Sequence, residues 1–207
     1  LQPGERFGVI MLNGFRTAEL FWAGYWMGSV PVPVNWRLAP GEMADILDDA
    51  EVEFVVVDAA FAALLGEAPL DKWAESTLSH GPPGGDGPYS NIETALADTA
   101  PIAPHASGEN DDALILYTGG TTGRSKGVRL SHRNIVANAG QNGYALGIRY
   151  GDVWIHAAPM FHSADLIGNS PTLMGGGHVY LPQFSGANFL HAVERHRPTA
   201  TVLPPTM

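Results

Sequence analysis

Apolar and polar positions along the chain alternate between two rhythms, short apolar runs and longer stretches with a helical period. Arg6 to Leu12 reads as a buried strand, and Thr17 to Met27 as a helix behind it. Val30 to Val34 and Phe54 to Val57 are further strand candidates. Between them Pro40 opens a helix whose Met43, Ile46, Leu47 and Ala50 fall on one face. Strand, helix, strand, helix, strand is the rhythm of a parallel α/β sheet. Asp58 to Gly66 is expected to begin another helix. From His80 to Asn110 the texture changes to a Gly- and Pro-rich connection, with a short helix expected near Ile92 to Ala97.

The second half resumes the alternation. A strand is predicted at Ala113 to Thr118, then a Gly/Thr loop, then a short strand near Val128 to Leu130. Ser131 is placed to cap a helix from His132 to about Gln141. Strand-like segments recur at Val153 to Ala157, Gly177 to Leu181 and Thr199 to Leu203. A helix from about Ala187 to His196 runs into Arg195, His196 and Arg197 before Pro198, a good stop. The expected fold is α/β, with layered, mostly parallel sheets flanked by helices. It divides at the Gly/Pro-rich stretch into residues 1–105 and 106–207.

Composition narrows the partners. Lys and Arg number 11 against 21 Asp and Glu, a formal net charge of −10, so the surface repels nucleic acid unless a local cluster overrides it. There is no cysteine, which excludes disulfides and thiolate metal sites and fits a cytoplasmic protein. The longest apolar stretch, Phe54 to Leu65, is broken by Asp58 and is too short to span a bilayer. The first residues, LQPGER, lack the basic start and apolar block of a secretion signal. The chain reads as a segment of a longer protein.

The chemistry concentrates in LILYTGGTTGRSKGVRLSHRN, Leu114 to Asn134. A hydrophobic strand delivers Thr118, Gly119, Gly120, Thr121, Thr122 and Gly123, followed by Arg124, Ser125, Lys126 and Gly127. Glycines let successive backbone N–H groups turn towards one point and form a nest for an anion. Threonine hydroxyls add donors, and Arg124 and Lys126 bring positive charge into an acidic chain. The plain alternative is a Gly-rich turn with solvated basic residues, but the full string at a strand end favours a polyphosphate.

Other motif readings fit less well. A Walker A loop needs GxxxxGK[ST], whereas Lys126 here lies between Ser125 and Gly127. A dinucleotide fingerprint needs GxGxxG opening a helix, which Gly120 to Gly123 does not supply. Gly123 to Gly127 matches the GxSxG nucleophile elbow, yet polar and glycine residues separate it from the strand end.

YTGGTTGRSKGVRLSHRNIVAN resembles the phosphate-loop signature of the acyl-adenylate-forming superfamily, which includes acyl-CoA synthetases, aryl-CoA ligases, luciferases and peptide-synthetase adenylation domains. The early portion from Gly4 to Asp58 follows the same family, and Ala158-Pro159-Met160-Phe161-His162 resembles its PxFH segment. Two positions depart from the pattern: Gly119 stands where the family commonly has Ser, and Ser125 where it usually has Pro.

The resemblance implies a partial amino-terminal domain of an adenylate-forming enzyme. Its reaction joins a carboxylate to the α-phosphorus of ATP, and a thiol, usually that of coenzyme A, then displaces AMP. By the same resemblance, Thr118, Gly119, Gly120, Thr121, Thr122, Gly123 and Arg124 hold phosphate. Lys126 neutralises the departing pyrophosphate, and Mg²⁺ bridges phosphate oxygens. His162, one of eight histidines, is implied to gate the acyl or nucleotide site and not to act as a base, because a carboxylate substrate is already ionised. Phe161 and Trp154 either line an acyl tunnel or belong to the core. The texture around APMFH favours a fatty- or aryl-acid ligase over an amino-acid adenylation domain. The remaining equipment of the family, including a mobile carboxy-terminal lobe, is expected beyond Met207, so the isolated chain is expected to turn nothing over. The alternative is a non-catalytic module that self-associates, for instance as a homodimer, through exposed apolar surface.

Overall fold

The computed structural model describes residues 1–81, 89–97, 99–119, 125–205 and 207. The elements run in order β1 (Arg6–Ile10), α1 (Phe15–Met27), β2 (Val30–Pro33), α2 (Pro40–Asp49), β3 (Val52–Asp58), β4 (Thr77–His80), β5 (Ser90–Asn91) and α3 (Ile92–Ala97). They continue with β6 (Asp112–Thr118), β7 (Lys126–Ser131), α4 (His132–Leu146), β8 (Val153–His156), α5 (Asn169–Leu173), β9 (Gly177–Tyr180) and α6 (Gly186–His196). Three 3₁₀ segments, Ala59–Gly66, Asp71–Ser76 and Ser163–Gly168, connect them.

A five-stranded sheet with order β2-β1-β3-β4-β5 is parallel throughout. Both faces are covered, as parallel strands require. On one side Ile10, Val55 and Val57 pack with Met43, Ile46 and Leu47 of α2. On the other, Phe7, Val9 and Val56 pack with Phe21 of α1. Gly8 faces α2 because a Cβ there would meet Leu47 Cδ2 at 2.7 Å, so a side chain would hold the helix off the sheet.

β6 and β7 form an antiparallel hairpin in which Thr118 faces Lys126 and Tyr117 faces Gly127. Leu114 and Leu116 pack with Ile135 of α4, while Ile115 enters the core beneath α2, so β6 too is buried on both faces. β8 and β9 pair in parallel, and α6 seals their far side through Ala192. Ser131 caps α4 as its sequence implies: Oγ accepts from the Asn134 N–H at 3.3 Å, and the Asn134 side chain returns to the Ser131 N–H.

One expectation is refined and one corrected. Asp58 to Gly66 does open a helix, of the 3₁₀ kind, with Asp58 capping it through the Ala60 N–H at 3.0 Å. Thr199 to Leu203 forms no strand. It touches β8 through the single bridge Trp154–Ala200, and the Thr201 hydroxyl, in place of a backbone N–H, donates to Ile155 O at 2.8 Å. Prolines at 198, 204 and 205 withhold N–H groups on both sides. Among the described residues no helix is long and apolar enough to cross a membrane.

Leu47 is fully buried between α2 and the sheet. We expect Leu47→Ala to cost about 2–5 kcal/mol, read as a lower midpoint in urea unfolding with an unchanged slope.

Candidate functional site

Parallel strands deliver their following loops to one edge of a sheet, and ligands collect at such carboxyl edges. Here the segment after β2, with Asn35 and Leu38, converges with the end of β6. Their cleft of 210 Å³ is bounded by Leu116, Tyr117, Thr118, Gly119 and Ser125 on one wall and by Phe161, His162 and Ser163 on another. Thr118, Gly119 and Lys126 are exposed at the loop end of the hairpin, and a Cβ on Gly119 would meet nothing within 4 Å. Lys126 lies directly across the ladder from Thr118, so the ammonium and the hydroxyl share one end of the hairpin. Gly120, Thr121, Thr122, Gly123 and Arg124 lie outside the described residues.

The same end of the hairpin is tied down. The Tyr117 hydroxyl donates to Asp49 Oδ2 at 2.6 Å, and burial together with that carboxylate pushes the phenol pKa well above its ordinary value. Gly127 permits the arrangement, because a Cβ would approach the Tyr117 ring to 3.0 Å. The acidic run at the end of α2 is therefore engaged: Asp49 by Tyr117, Asp48 by Lys72 and Glu51 by Arg6. Ser125 leads into a strand, β7, whereas a nucleophile elbow must lead into a helix, so the GxSxG match does not build a hydrolase site.

The opposite wall is the segment after β8. His156 to Ala158 and Met160 are buried, and Phe161 and His162 then emerge towards the cleft. His162 Nδ1 accepts from the Ala164 N–H at 3.2 Å, capping the turn that follows, so its remaining N–H is carried on Nε2. Phe161 meets the edge of Trp36 at 6.4 Å, and the Arg37 guanidinium lies 4.6 Å from the Trp36 ring and 5.9 Å from that of Phe161. Trp36 is itself stacked on Phe61 at 5.2 Å. Asn35 lines the cleft and Trp36 and Arg37 pack against Phe161 of its wall, and motif reading misses all three; the available signal is their position just past the carboxyl end of β2. Trp154 is a core residue at 2% exposure and does not line the cleft. His132 opens α4 with its ring edge on Tyr25.

Beneath this wall runs a polar chain. His156 Nδ1 lies 2.8 Å from Asp165 Oδ1, His156 Nε2 lies 3.0 Å from His178 Nδ1, and His178 Nε2 lies 2.9 Å from the Thr172 hydroxyl. Tyr180 stacks on His156 at 4.5 Å. Burial, aided by the neighbouring His156 and opposed by Asp165, depresses the His178 pKa to about 4.

With this geometry in view, the comparisons are consistent. The family of AMP-binding enzymes matches residues 1–207, and the chain belongs to it. It is 32% identical over 191 residues to a 2-succinylbenzoate–CoA ligase of Bacillus cereus, covering 92% of this chain and 36% of that protein. It is 29% identical over 198 residues to the long-chain-fatty-acid–CoA ligase FadD13 of Mycobacterium tuberculosis, of which it covers 39%. The chain thus spans little more than a third of the length of these relatives. Among solved structures, the N-terminal domain of FACL13 from Mycobacterium tuberculosis superposes over 100% of this chain and 51% of that one. The TM-score is 0.87 at 25% identity.

The His178 shift carries a sign. An unfolded histidine titrates near pH ~6.5, above the folded value of about 4, so the unfolded state binds the extra proton between them. The neutral imidazole therefore supports the fold fully above the unfolded pKa, and that support fades as the pH falls from there towards 4. We expect the unfolding midpoint to drop on acidification from pH ~6.5 to ~5, and to drop less steeply in His178→Gln. Parallel profiles would contradict it.

Proposed function

We propose that this chain forms the phosphate-side portion of the active site of an ATP-dependent carboxylic acid–CoA ligase. The observation that carries the reading is a cleft with Thr118, Gly119 and Ser125 on one wall and Phe161 and His162 on the other, with the exposed Lys126 paired to Thr118 at the loop end of the same hairpin. A polyphosphate needs cationic charge and hydrogen-bond donors that can approach closely, and the exposed Lys126, the Thr118 hydroxyl and the Gly119 backbone fit that requirement. The relatives that carry CoA-ligase names support the class, and an ATP-bound structure of MatB from Rhodopseudomonas palustris, 30% identical with a TM-score of 0.81, supports the nucleotide.

In this reading ATP would supply the electrophilic phosphorus, Mg²⁺ would offset phosphate charge, and coenzyme A would accept the acyl group. The chain's own residues position and neutralise. Lys126 offsets charge on the pyrophosphate side, where two anions must be brought together. The loop from Gly120 to Arg124 adds donors on the strength of its sequence. His162 acts as a gate in the wall. Its Nδ1 is already engaged by the Ala164 N–H, and an ionised acid needs no base. The acid is of the fatty or aryl class, the site being walled by Phe161, Leu38 and Leu116. The reading also keeps the division into residues 1–105 and 106–207, a cytoplasmic location, and an isolated 207-residue chain that does not turn over.

The test is carboxylate-dependent ATP–pyrophosphate exchange by the full-length protein, against a panel of fatty, aryl and amino acids. We expect exchange with a fatty or aryl acid, and a loss of about 10²-fold in Lys126→Ala. Full-length protein that is folded yet silent with every acid would refute the assignment.

A further inference from the structure

We propose that Asn13 is a positioning residue: it fixes the segment 156–160 so that Phe161 and His162 stand in the cleft opposite Thr118. The inference rests on the reading of that cleft as the adenylate-forming site.

Asn13 lies just past the end of β1 and is 7% exposed. Its side-chain Nδ2 donates to Ala158 O at 2.8 Å and to His156 O at 3.3 Å, and its Oδ1 accepts from the Met160 N–H at 2.8 Å. A donor to residue 158 and an acceptor from residue 160 is the pattern a parallel strand offers, centred on Pro159. The side-chain amide thus takes the part of one residue's N–H and C=O in a strand that is not there. The need is real: Ala158 and Met160 are 4% and 6% exposed, and buried backbone groups must be paired. Because Pro159 has no N–H, the segment cannot knit itself into a continuous ladder.

Asn13 is held firmly from its own side. It follows a strand with both faces covered, and the Thr17 hydroxyl donates to Leu12 O at 2.6 Å, fixing the turn into α1. The clamped segment leads at once to the cleft, Phe161 being the residue after Met160. A shift at the Met160 N–H is therefore transmitted to the aromatic wall and to His162. A displacement of about 1 Å in a site of this kind costs about 10²-fold in rate. A simple structural fastener would weaken the fold when cut but would leave the cleft's chemistry intact, which gives the distinction to be measured.

The experiment compares full-length wild type with Asn13→Ala, Asn13→Asp and the control Thr77→Ala, which removes a buried side-chain hydrogen bond to Trp73 O from β4 and leaves the turn around Asn13 and segment 156–160 untouched. Asn13→Asp keeps the acceptor for Met160 and loses the donor, and it serves if the alanine variant does not fold. Hydrogen–deuterium exchange is read on peptides spanning 157–164, and kcat and KM from carboxylate-dependent ATP–pyrophosphate exchange. For both Asn13 variants we expect exchange in that segment to rise about tenfold. We also expect kcat to fall at least about tenfold, with KM for ATP within about twofold. Thr77→Ala is expected to lower only the unfolding midpoint. Unchanged amide exchange in the Asn13 variants, or an equal loss of kcat in Thr77→Ala, would overturn the assignment. A wild type that is inert with every acid refutes the ligase reading instead, and the amide exchange still decides whether Asn13 holds the segment.

Discussion

The structure depends on the burial of both faces of the parallel strands β1 and β3. Alternate residues must be apolar in both directions, so α1 and α2 are drawn onto opposite sides and no polar chemistry fits inside the sheet. Polar groups are displaced to the carboxyl edge, where the chain leaves each strand with unpaired peptide groups and side chains free to turn. The same constraint repeats in β6, whose Ile115 and Leu116 look in opposite directions before Thr118 and Gly119 reach solvent.

The cleft is consequently a meeting of strand ends. β6 contributes Thr118, the segment after β2 contributes Asn35 and Leu38, and the segment after β8 contributes Phe161 and His162, with Trp36 and Arg37 packed against Phe161. No one of these segments makes a site alone. Their relative placement is set by non-local polar contacts, among them the Tyr117–Asp49 tie and the Asn13 amide bridge. The apolar core brings the layers together, but hydrogen bonds, being directional, decide where each wall stops.

Much of the fold was legible in the sequence because its strands are apolar runs and its helices carry one apolar stripe. α2 announced itself through Pro40 and the spacing of Met43, Ile46 and Leu47, and α4 through its Ser131 cap. β4 was not legible: Thr-Leu-Ser-His alternates buried and half-buried positions, but half of its residues are small or hydroxylic and carry little hydrophobic signal. The candidate cleft was legible where it is continuous in sequence, at Thr118 and Gly119 and in the segment ending at His162. It was silent where it depends on distant partners. Asn13 lies 145 residues from Ala158, and a single asparagine before a helix reads as a turn former. Arg37 likewise looks like a solvated surface charge until the fold lays it over Trp36.

The bridge built on Asn13 also has a chemical lifetime. The next residue is Gly14, and asparagine followed by glycine is the pair most open to ageing: the glycine N attacks the side-chain carbonyl carbon, ammonia leaves, and water opens the ring to aspartate or isoaspartate. The folded chain resists this by holding the amide in three hydrogen bonds inside a buried joint. Molecules that spend time unfolded lose that shelter, and those that return carry a carboxylate where the donor should be. In this protein time spent unfolded therefore leaves a covalent record at a side chain that joins the end of the first strand to the wall of the cleft.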